Sequence, residues 1–308
     1  MTTANSLQTS SEETAKLLRL ATYASISVAL VLIAAKLIAW SLSDSVSLLA
    51  TLIDSVLDAV ASLINLLAVR HALTPADKEH RFGHGKAEAL AGLSQSLFIV
   101  SSAGFLLLEA AQRMISPTEV DAAGIGIAVM VFSIIATLAL LGLQGHVIRK
   151  TNSTAIKADS LHYKTDLLVN GSVIVALWLS VQGWAGFDAL FAGAIALYIL
   201  FSAREIMVIS YDHLMDRELP DEQRDLITQL VLQHSGARGM HDLRSRQAGT
   251  MTFIQLHLEL DDDMSLLDAH QICDEIEASL MAAFPESEII IHIDPQSVVG
   301  IENVADFN

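Results

Sequence analysis

The sequence predicts an α-helical membrane bundle of six transmembrane helices, followed by a small C-terminal α+β domain. The chain of 308 residues is 52% hydrophobic and only 17% charged, and its mean hydropathy of +0.48 is too high for an ordinary soluble domain. Six apolar stretches are each long enough to cross about 30 Å of hydrocarbon. Residues 212–308 carry twenty acidic and five basic side chains, a net charge of −15 out of −17 for the chain. Such an acidic balance argues against nucleic acid as a partner.

The predicted membrane spans lie at 17–40, 46–70, 88–113, 121–146, 160–182 and 187–210. Lys and Arg are concentrated before the first span, in the connections that follow the second and the fourth, and at the end of the sixth. Because basic connections stay on the cytoplasmic side of a membrane, both chain termini are expected in the cytoplasm. The membrane domain is therefore predicted to occupy residues 1–211.

The remaining chain is predicted to form a cytoplasmic domain over residues 212–300, with a C-terminal tail at 301–308. LPDEQRDLITQLVLQH has the pattern of an amphipathic helix, and SLLDAHQICDEIEASLMAAF that of a second helix. MHDLRSRQ, TMTFIQLHLEL and SEIIIHIDP are typical of strands. In the second of these strands, Ile254, Leu256 and Leu258 alternate with polar residues, which predicts one buried face. The expected element order is αββαβ.

Two pairs of metal-type ligands are spaced one helical turn apart inside predicted spans. They are Asp54 with Asp58, and His162 with Asp166. A spacing of four places each pair on one helix face, and a carboxylate in hydrocarbon costs about 2.5–3.5 kcal/mol or more. Three carboxylates and one imidazole complete a four-ligand shell for a divalent cation such as zinc, with no vacancy for a catalytic water. The alternatives are polar helix-packing contacts or a proton relay without metal.

Two further clusters lie outside the spans. Asp77, His80 and His84 occur in the loop PADKEHRFGHGKAE, which is interpreted either as a weak three-ligand metal site or as a solvated polar loop. Four of the histidines of the C-terminal domain and one aspartate are interpreted as a metal site, because imidazole is the commonest metal ligand. This third set consists of His241, His257, His270, His292 and Asp294.

The residues leave several function classes open. A membrane metallohydrolase would need an open metal position and a general base, but the sequence has no HExxH and its promising acids are already used as ligands. A membrane-bound metal sensor would leave Asp54 and Asp58 without a purpose. A passive metal channel differs from a coupled carrier in needing no proton gradient. Carriage of a metal ion agrees best with the closed intramembrane shell.

The motifs that carry these clusters resemble the cation diffusion facilitator family, in its bacterial YiiP/FieF-like branch. They are DSVLD, HRFGHGKAE, DSLHYKTDLLVN, HDLRSRQAG, FIQLHLEL and IIIHIDP, and together they extend over nearly the whole chain. The resemblance implies a homodimeric exporter of zinc or iron in the bacterial inner membrane, which exchanges metal for protons. Asp and His ligands suit zinc, iron(II), cobalt and cadmium alike, so cadmium and cobalt are expected as further substrates. It also implies that the cytoplasmic domain is ferredoxin-like and binds zinc at the dimer interface.

Carried over by residue, the resemblance makes Asp54, Asp58, His162 and Asp166 the transport site and Asp77, His80 and His84 the loop site. It implies a binuclear cytoplasmic site of His241, His257, His292 and Asp294, with His270 as bridging ligand. It also implies an ion pair between Lys86 and Asp216 where membrane and cytoplasm meet. One departure is Ile293, which stands where close relatives often have Gln. The expected partners are a second copy of the chain, the lipid bilayer, divalent metal ions and protons.

Overall fold

The computed structural model describes residues 2–43, 46–115, 124–181 and 187–299. The predicted C-terminal tail at 301–308 lies outside the described residues. The chain divides into two compact units. One is Glu13–Tyr211, and the other combines Met1–Glu12 with Asp212–Asn308.

The first unit is built from long helices. Their bounds are α1 Thr2–Ser43, α2 Val46–Ala72, α3 Lys86–Ile115, α4 Gly124–Thr151, α5 Thr154–Val181 and α6 Phe187–Leu214. Among the described residues, all of these except α5 are long and apolar enough to cross a membrane. The first half of α5 carries Lys157, Asp159, Lys164 and Asp166, which lower its hydropathy. The chain is a multi-pass membrane protein, and the crossing of the membrane by α5, the fifth predicted span, stays a prediction.

Helix α5 lies where the other helices of the bundle meet. Its residues Ala155 and Ile156 pack against buried side chains of α1, α2, α3 and α4. One turn further along, Ala158 and Leu161 pack against α3 and α6. Small side chains at these contacts let neighbouring helix backbones approach closely. Asp159 and His162 of α5 are consequently buried among protein neighbours, while large apolar side chains elsewhere, such as Phe105 and Phe201, are exposed to the surroundings.

The second unit has the predicted αββαβ order. Its elements are α7 Asp221–Leu232, β1 Gly239–Ala248, β2 Met251–Leu260, α8 Leu266–Ala283 and β3 Ser287–Pro295. The sheet has the strand order β1-β2-β3, with β1 antiparallel and β3 parallel to β2. The predicted alternation of β2 is confirmed, because Ile254, Leu256 and Leu258 are fully buried. They pack against Ile276 and Leu280 of α8 in a core that also includes residues of α7.

The strand register places three histidines in one row across the sheet. His241 of β1 is paired with His257 of β2, and His257 is paired with His292 of β3. The β1–β2 register shifts between His241 and Arg244, and Asp242 in this irregular segment has a positive φ of 46°. Such a bulge locally re-aims side chains, and here it follows directly after the first histidine of the row.

Candidate functional site

The first cluster joins helix α2 to helix α5. Nε2 of His162 lies 3.0 Å from Oδ1 of Asp58 and 4.0 Å from Oδ2 of Asp166. One ligand atom from each of these three residues falls within 4.8 Å of the others. His162 is buried and its ring is in edge contact with Phe98 and Tyr163, so neighbouring rings fix its orientation. The structure thus brings together three of the four predicted intramembrane ligands.

The geometry of His162 agrees with a metal ligand. Although its Nε2 is close to Asp58, the direction between them does not make a hydrogen bond, and this buried nitrogen has no hydrogen-bond partner among the described residues. Buried polar atoms are nearly always hydrogen-bonded, so such an exception calls for an explanation. A nitrogen lone pair directed at two carboxylates suits a divalent cation placed between them.

Asp54, the fourth predicted ligand, is not part of that three-residue group. It lies one turn before Asp58 on α2, its side chain is exposed, and it is close enough to Asp166 for their charges to interact. Lys36 of α1 brings a positively charged side chain to α2. Its ammonium donates hydrogen bonds to Oγ of Ser55 at 2.6 Å and to the carbonyl of Thr51 at 3.0 Å. Lys36 therefore extends toward α2, on the side of the bundle where the carboxylates lie.

The loop cluster is assembled as predicted. Asp77 Oδ1 lies 3.4 Å from Nδ1 of His80, and its Oδ2 lies 3.4 Å from Nε2 of His84. The backbone N–H groups of His80 and Glu79 donate to Asp77, and these bonds hold the pKa of its carboxyl below the usual range. Asp77 is thus kept ionised, which a metal ligand requires.

One neighbour of this loop was missed by the sequence analysis. The ring of His71, at the end of α2, lies 4.5 Å from the ring of His84 in an edge arrangement. His71 is thirteen residues away in sequence, and no local spacing indicates that the loop folds back onto the helix end. His84 also contacts the carbonyl of Thr74 through Nδ1 at 3.3 Å, which helps to orient its Nε2 toward Asp77.

Asp294 is the centre of the cytoplasmic cluster. Its Oδ2 is 2.6 Å from Nδ1 of His257 and 3.5 Å from Nε2 of His241, and its Oδ1 is 3.2 Å from Nε2 of His292. The rings of the three histidines follow one another at centroid distances of 5.0 Å and 4.6 Å. Three imidazoles around one largely buried carboxylate form a donor set that fits zinc.

A carboxylate that the sequence analysis did not single out supports this cluster. Oε1 of Glu259 lies 3.0 Å from Nδ1 of His241, on the far side of the ring from Asp294. Glu259 is paired across the strands with Gly239, where an added Cβ would come within 2.4 Å of Oε2 of Glu259. The alternation of β2 predicts that Glu259 shares a face with His257, but only the register to β1 brings it to His241.

Two further predictions concern His270 and the pair of Lys86 with Asp216. His270 is exposed on α8 and lies 3.6 Å from Asp274, and it does not belong to the cluster of His241, His257 and Asp294. The expected ion pair of Lys86 with Asp216 joins the two separate units and stays a prediction. Within its own unit, Asp216 lies 3.1 Å from the guanidinium of Arg246.

Comparison with known proteins agrees with these observations. Residues 22–215 match the cation efflux transmembrane domain, and residues 219–296 match the cation efflux protein cytoplasmic domain. The chain is 49% identical to the cation-efflux pump FieF of Klebsiella pneumoniae, over 92% of this chain and 95% of that protein. It is 48% identical to FieF of Salmonella arizonae, over 93% and 96%. A solved structure of CzrB in its zinc form is 34% identical over 27% of this chain and 94% of that one, with a TM-score of 0.26.

Proposed function

Because the chain belongs to the cation efflux family, we propose that it is a proton-coupled antiporter that exports divalent transition metals, zinc first, from the cytoplasm. Family membership makes it a transporter of divalent metal cations rather than an enzyme. Proton coupling, the metals carried and the route through the membrane are our proposals. Iron(II), cadmium and cobalt are further substrates, because mixed histidine and carboxylate ligands bind all of these ions.

The observation that carries the proposal is the buried His162 nitrogen between two carboxylates. Nε2 of His162 has no hydrogen-bond partner among the described residues. It faces Asp58 of α2 and Asp166 of its own helix, α5. We assign Asp54 as the fourth ligand, which joins when the α2 helix adjusts around the ion. Asp58 and Asp54 lie on one helix and His162 and Asp166 on another, so a relative movement of two helices both changes the shell and releases the ion.

Protons compete with metal for this site. Metal binding needs a neutral imidazole and ionised carboxylates, so protonation from the outer side favours release. His162 is the proposed proton carrier, because its ring nitrogen lies beside two carboxylates and can hold either a proton or the metal. We assign the exchanged protons to the cluster as a whole, because Asp58, His162 and Asp166 offer ligand atoms within 4.8 Å of one another. Alternating access, in which one part of the bundle rocks against another, then exposes the site to each side in turn.

We place the protein in the inner membrane of a bacterium, with both termini in the cytoplasm. Support comes from Lys78 and Arg81 in the loop between α2 and α3, and from Arg149, Lys150 and Lys157 at the adjoining ends of α4 and α5. Residues 1–211 would then be the transport domain and residues 212–300 a metal-binding regulatory domain. The loop of Asp77, His80 and His84 is on the cytoplasmic side in this orientation, where it can bind metal before transport.

The cytoplasmic domain is proposed to hold two protomers together through zinc. His241, His257, His292 and Asp294 would supply one protomer's ligands, and exposed His270 would reach the ions of a partner chain. The match to a family domain named for dimerisation supports this arrangement. The ion pair of Lys86 and Asp216 is proposed at the junction between the domains.

The test is zinc flux in proteoliposomes with an imposed pH gradient. Asp58→Ala and His162→Ala should abolish proton-driven zinc flux, while the protein still inserts and is recovered as the same oligomer. Ser27→Ala is the matched control, because among the described residues this hydroxyl donates only to its own helix, to the carbonyl of Tyr23. Near-normal coupled flux in either site variant would refute the assignment. Flux that continues undiminished after the proton gradient is collapsed would indicate a passive channel instead.

A further inference from the structure

A buried polar group lies beside the transport site and belongs to none of the proposed metal sites. Oδ2 of Asp159, on α5, accepts hydrogen bonds from Oγ of Ser25 at 2.5 Å and from Nε2 of Gln144 at 2.7 Å. Gln144 also donates to Ser25 at 3.0 Å. These three side chains come from three different helices and are at most 1% exposed.

A second pair of contacts continues this group toward α2. The Tyr163 hydroxyl donates to the backbone carbonyl of Ser25 at 3.1 Å and lies 2.9 Å from Oγ of Ser62. Asp159 and Tyr163 are one turn apart on α5, so both of them reach the same residue of α1. We call these five residues the polar clamp; they are Ser25, Ser62, Gln144, Asp159 and Tyr163. The clamp joins α1, α2, α4 and α5 through side chains that are all buried.

Two clamp residues lie next to proposed metal ligands, one on α2 and one on α5. Tyr163 directly follows His162 on α5, and Ser62 is one turn after Asp58 on α2. The Tyr163–Ser62 contact is therefore the neighbour of the His162–Asp58 contact along the α2–α5 boundary. If α5 rotates about its axis and the Tyr163–Ser62 contact breaks, His162 also changes its position relative to Asp58. The reason is that side chains of adjacent residues turn together on a helix.

We infer that Asp159 and Tyr163 are positioning residues for transport, which fix the axial rotation of α5 so that His162 faces Asp58. They act through hydrogen bonds to α1, α2 and α4 and do not touch the metal. Groups that hydrogen-bond a metal ligand directly orient it and tune metal affinity, and the clamp would act one step further out, through the helix that carries His162. The inference rests on the proposed transport site and adds residues that no metal-ligand motif predicts.

The pattern of bonds also indicates which feature of Asp159 matters. Oδ2 accepts both hydrogen bonds, whereas Oδ1 of Asp159 and Oε1 of Gln144 have no partner among the described residues. An asparagine at this position keeps one oxygen for Ser25 and Gln144 and replaces the unpartnered oxygen by an amide NH2. If the clamp works by hydrogen bonding, Asp159→Asn should retain its function. A leucine of similar size cannot accept either bond.

The experiment compares Asp159→Leu, Asp159→Asn and Tyr163→Phe in the full chain, with Ser27→Ala as control. Zinc flux is measured against zinc concentration, together with the ratio of zinc to cadmium flux and the thermal stability of the purified protein. Asp159→Leu should raise the zinc concentration for half-maximal flux by about tenfold or more and change the metal ratio. Asp159→Asn should stay close to wild type, and Tyr163→Phe should show a smaller shift in the same direction as Asp159→Leu.

Two results would overturn the inference. One is an unchanged half-saturation and metal ratio in both Asp159→Leu and Tyr163→Phe, which would leave the clamp as ordinary packing. The other is an Asp159→Asn variant as impaired as Asp159→Leu, which would show that charge rather than hydrogen bonding is required. If Asp159→Leu does not fold, Ser25→Ala and Tyr163→Phe decide the question by the same criteria. Normal flux in Asp58→Ala would instead refute the transport site itself, whatever the clamp variants show.

Discussion

Nδ1 of His241 lies 3.0 Å from Oε1 of Glu259, while Nε2 of the same ring faces Asp294 at 3.5 Å. When Nδ1 carries the ring proton it donates to Glu259, and the lone pair of Nε2 is then free for a metal. A carboxylate behind a metal-binding histidine fixes the tautomer and makes the ring a stronger ligand. In the cytoplasmic cluster, Nε2 of His241 is therefore placed to bind a metal, and Glu259 holds the ring through Nδ1.

Removing this support should weaken metal binding in the cytoplasmic domain. We expect Glu259→Ala to lower zinc affinity by about 10–100-fold and Glu259→Gln to lower it less, because the amide oxygen can still accept from Nδ1. Gly239→Ala should have a related effect without removing the carboxylate, since its Cβ would displace Glu259. Equilibrium dialysis of the full chain against buffered zinc measures this, in a background with Asp58→Ala and His84→Ala.

The matched control is Glu288→Gln on β3, because Glu288 is also a strand carboxylate but is exposed. Its zinc affinity should equal that of the background. Equal affinities for Glu259→Ala and Glu288→Gln would mean that the contact with His241 has no influence on the metal.

His162→Asp should change metal preference at the transport site. His162 provides the only nitrogen of the proposed shell, and an all-oxygen shell is harder and less suited to zinc relative to manganese. Competition between zinc and manganese in proteoliposome flux measures the ratio, which should shift toward manganese. An unchanged ratio would show that His162 does not bind the transported ion.

Asp77→Ala should leave turnover largely intact. Asp77 is exposed, and its three-residue cluster with His80 and His84 offers only weak metal binding. We expect a higher zinc concentration for half-maximal flux and a near-normal maximal rate. A complete loss of flux, with the protein still correctly inserted, would place the loop within the transport cycle itself.

Zinc should strengthen association of the cytoplasmic domains. Residues 212–308 carry a net charge of −15, so two such domains repel one another, and divalent cations between them offset that repulsion. The full chain in detergent should show a tighter monomer–dimer equilibrium with zinc than with chelator by sedimentation velocity. In His257→Ala/Asp294→Ala this difference should disappear. Identical equilibria of wild type and variant under both conditions would argue against bridging by metal.

The αββαβ order and the buried face of β2 could be predicted because they depend on periodicity within single elements. Ile254, Leu256 and Leu258 alternate in the sequence and are buried in the structure. The row of His241, His257 and His292 was only half predictable. The sequence places each histidine on its strand, but strand order and register decide that the three are neighbours.

The metal-type pairs on α2 and α5 were also found from spacing, because residues four apart share a helix face. The polar clamp was not, and the reason is physical. Asp159, Gln144 and Ser25 come from three helices separated by up to 134 positions, and each alone looks like an isolated polar residue within or next to a predicted span. Only the packing of α5 against α1 and α4 brings them together.

The central position of α5 has a consequence for how the protein enters its membrane. α5 is the proposed fifth span, and it carries Asp159 near its start and Asp166 near its middle. An ionised carboxylate near the bilayer centre disfavours insertion of a lone helix by about 2.5–3.5 kcal/mol. Its hydrogen-bond partners Ser25 and Gln144 are on helices made earlier in synthesis. Biogenesis should therefore proceed by partner-assisted insertion, in which α1 and α4 are already in the bilayer when α5 arrives. Removing Ser25 and Gln144 together would then reduce the yield of inserted protein as well as its activity.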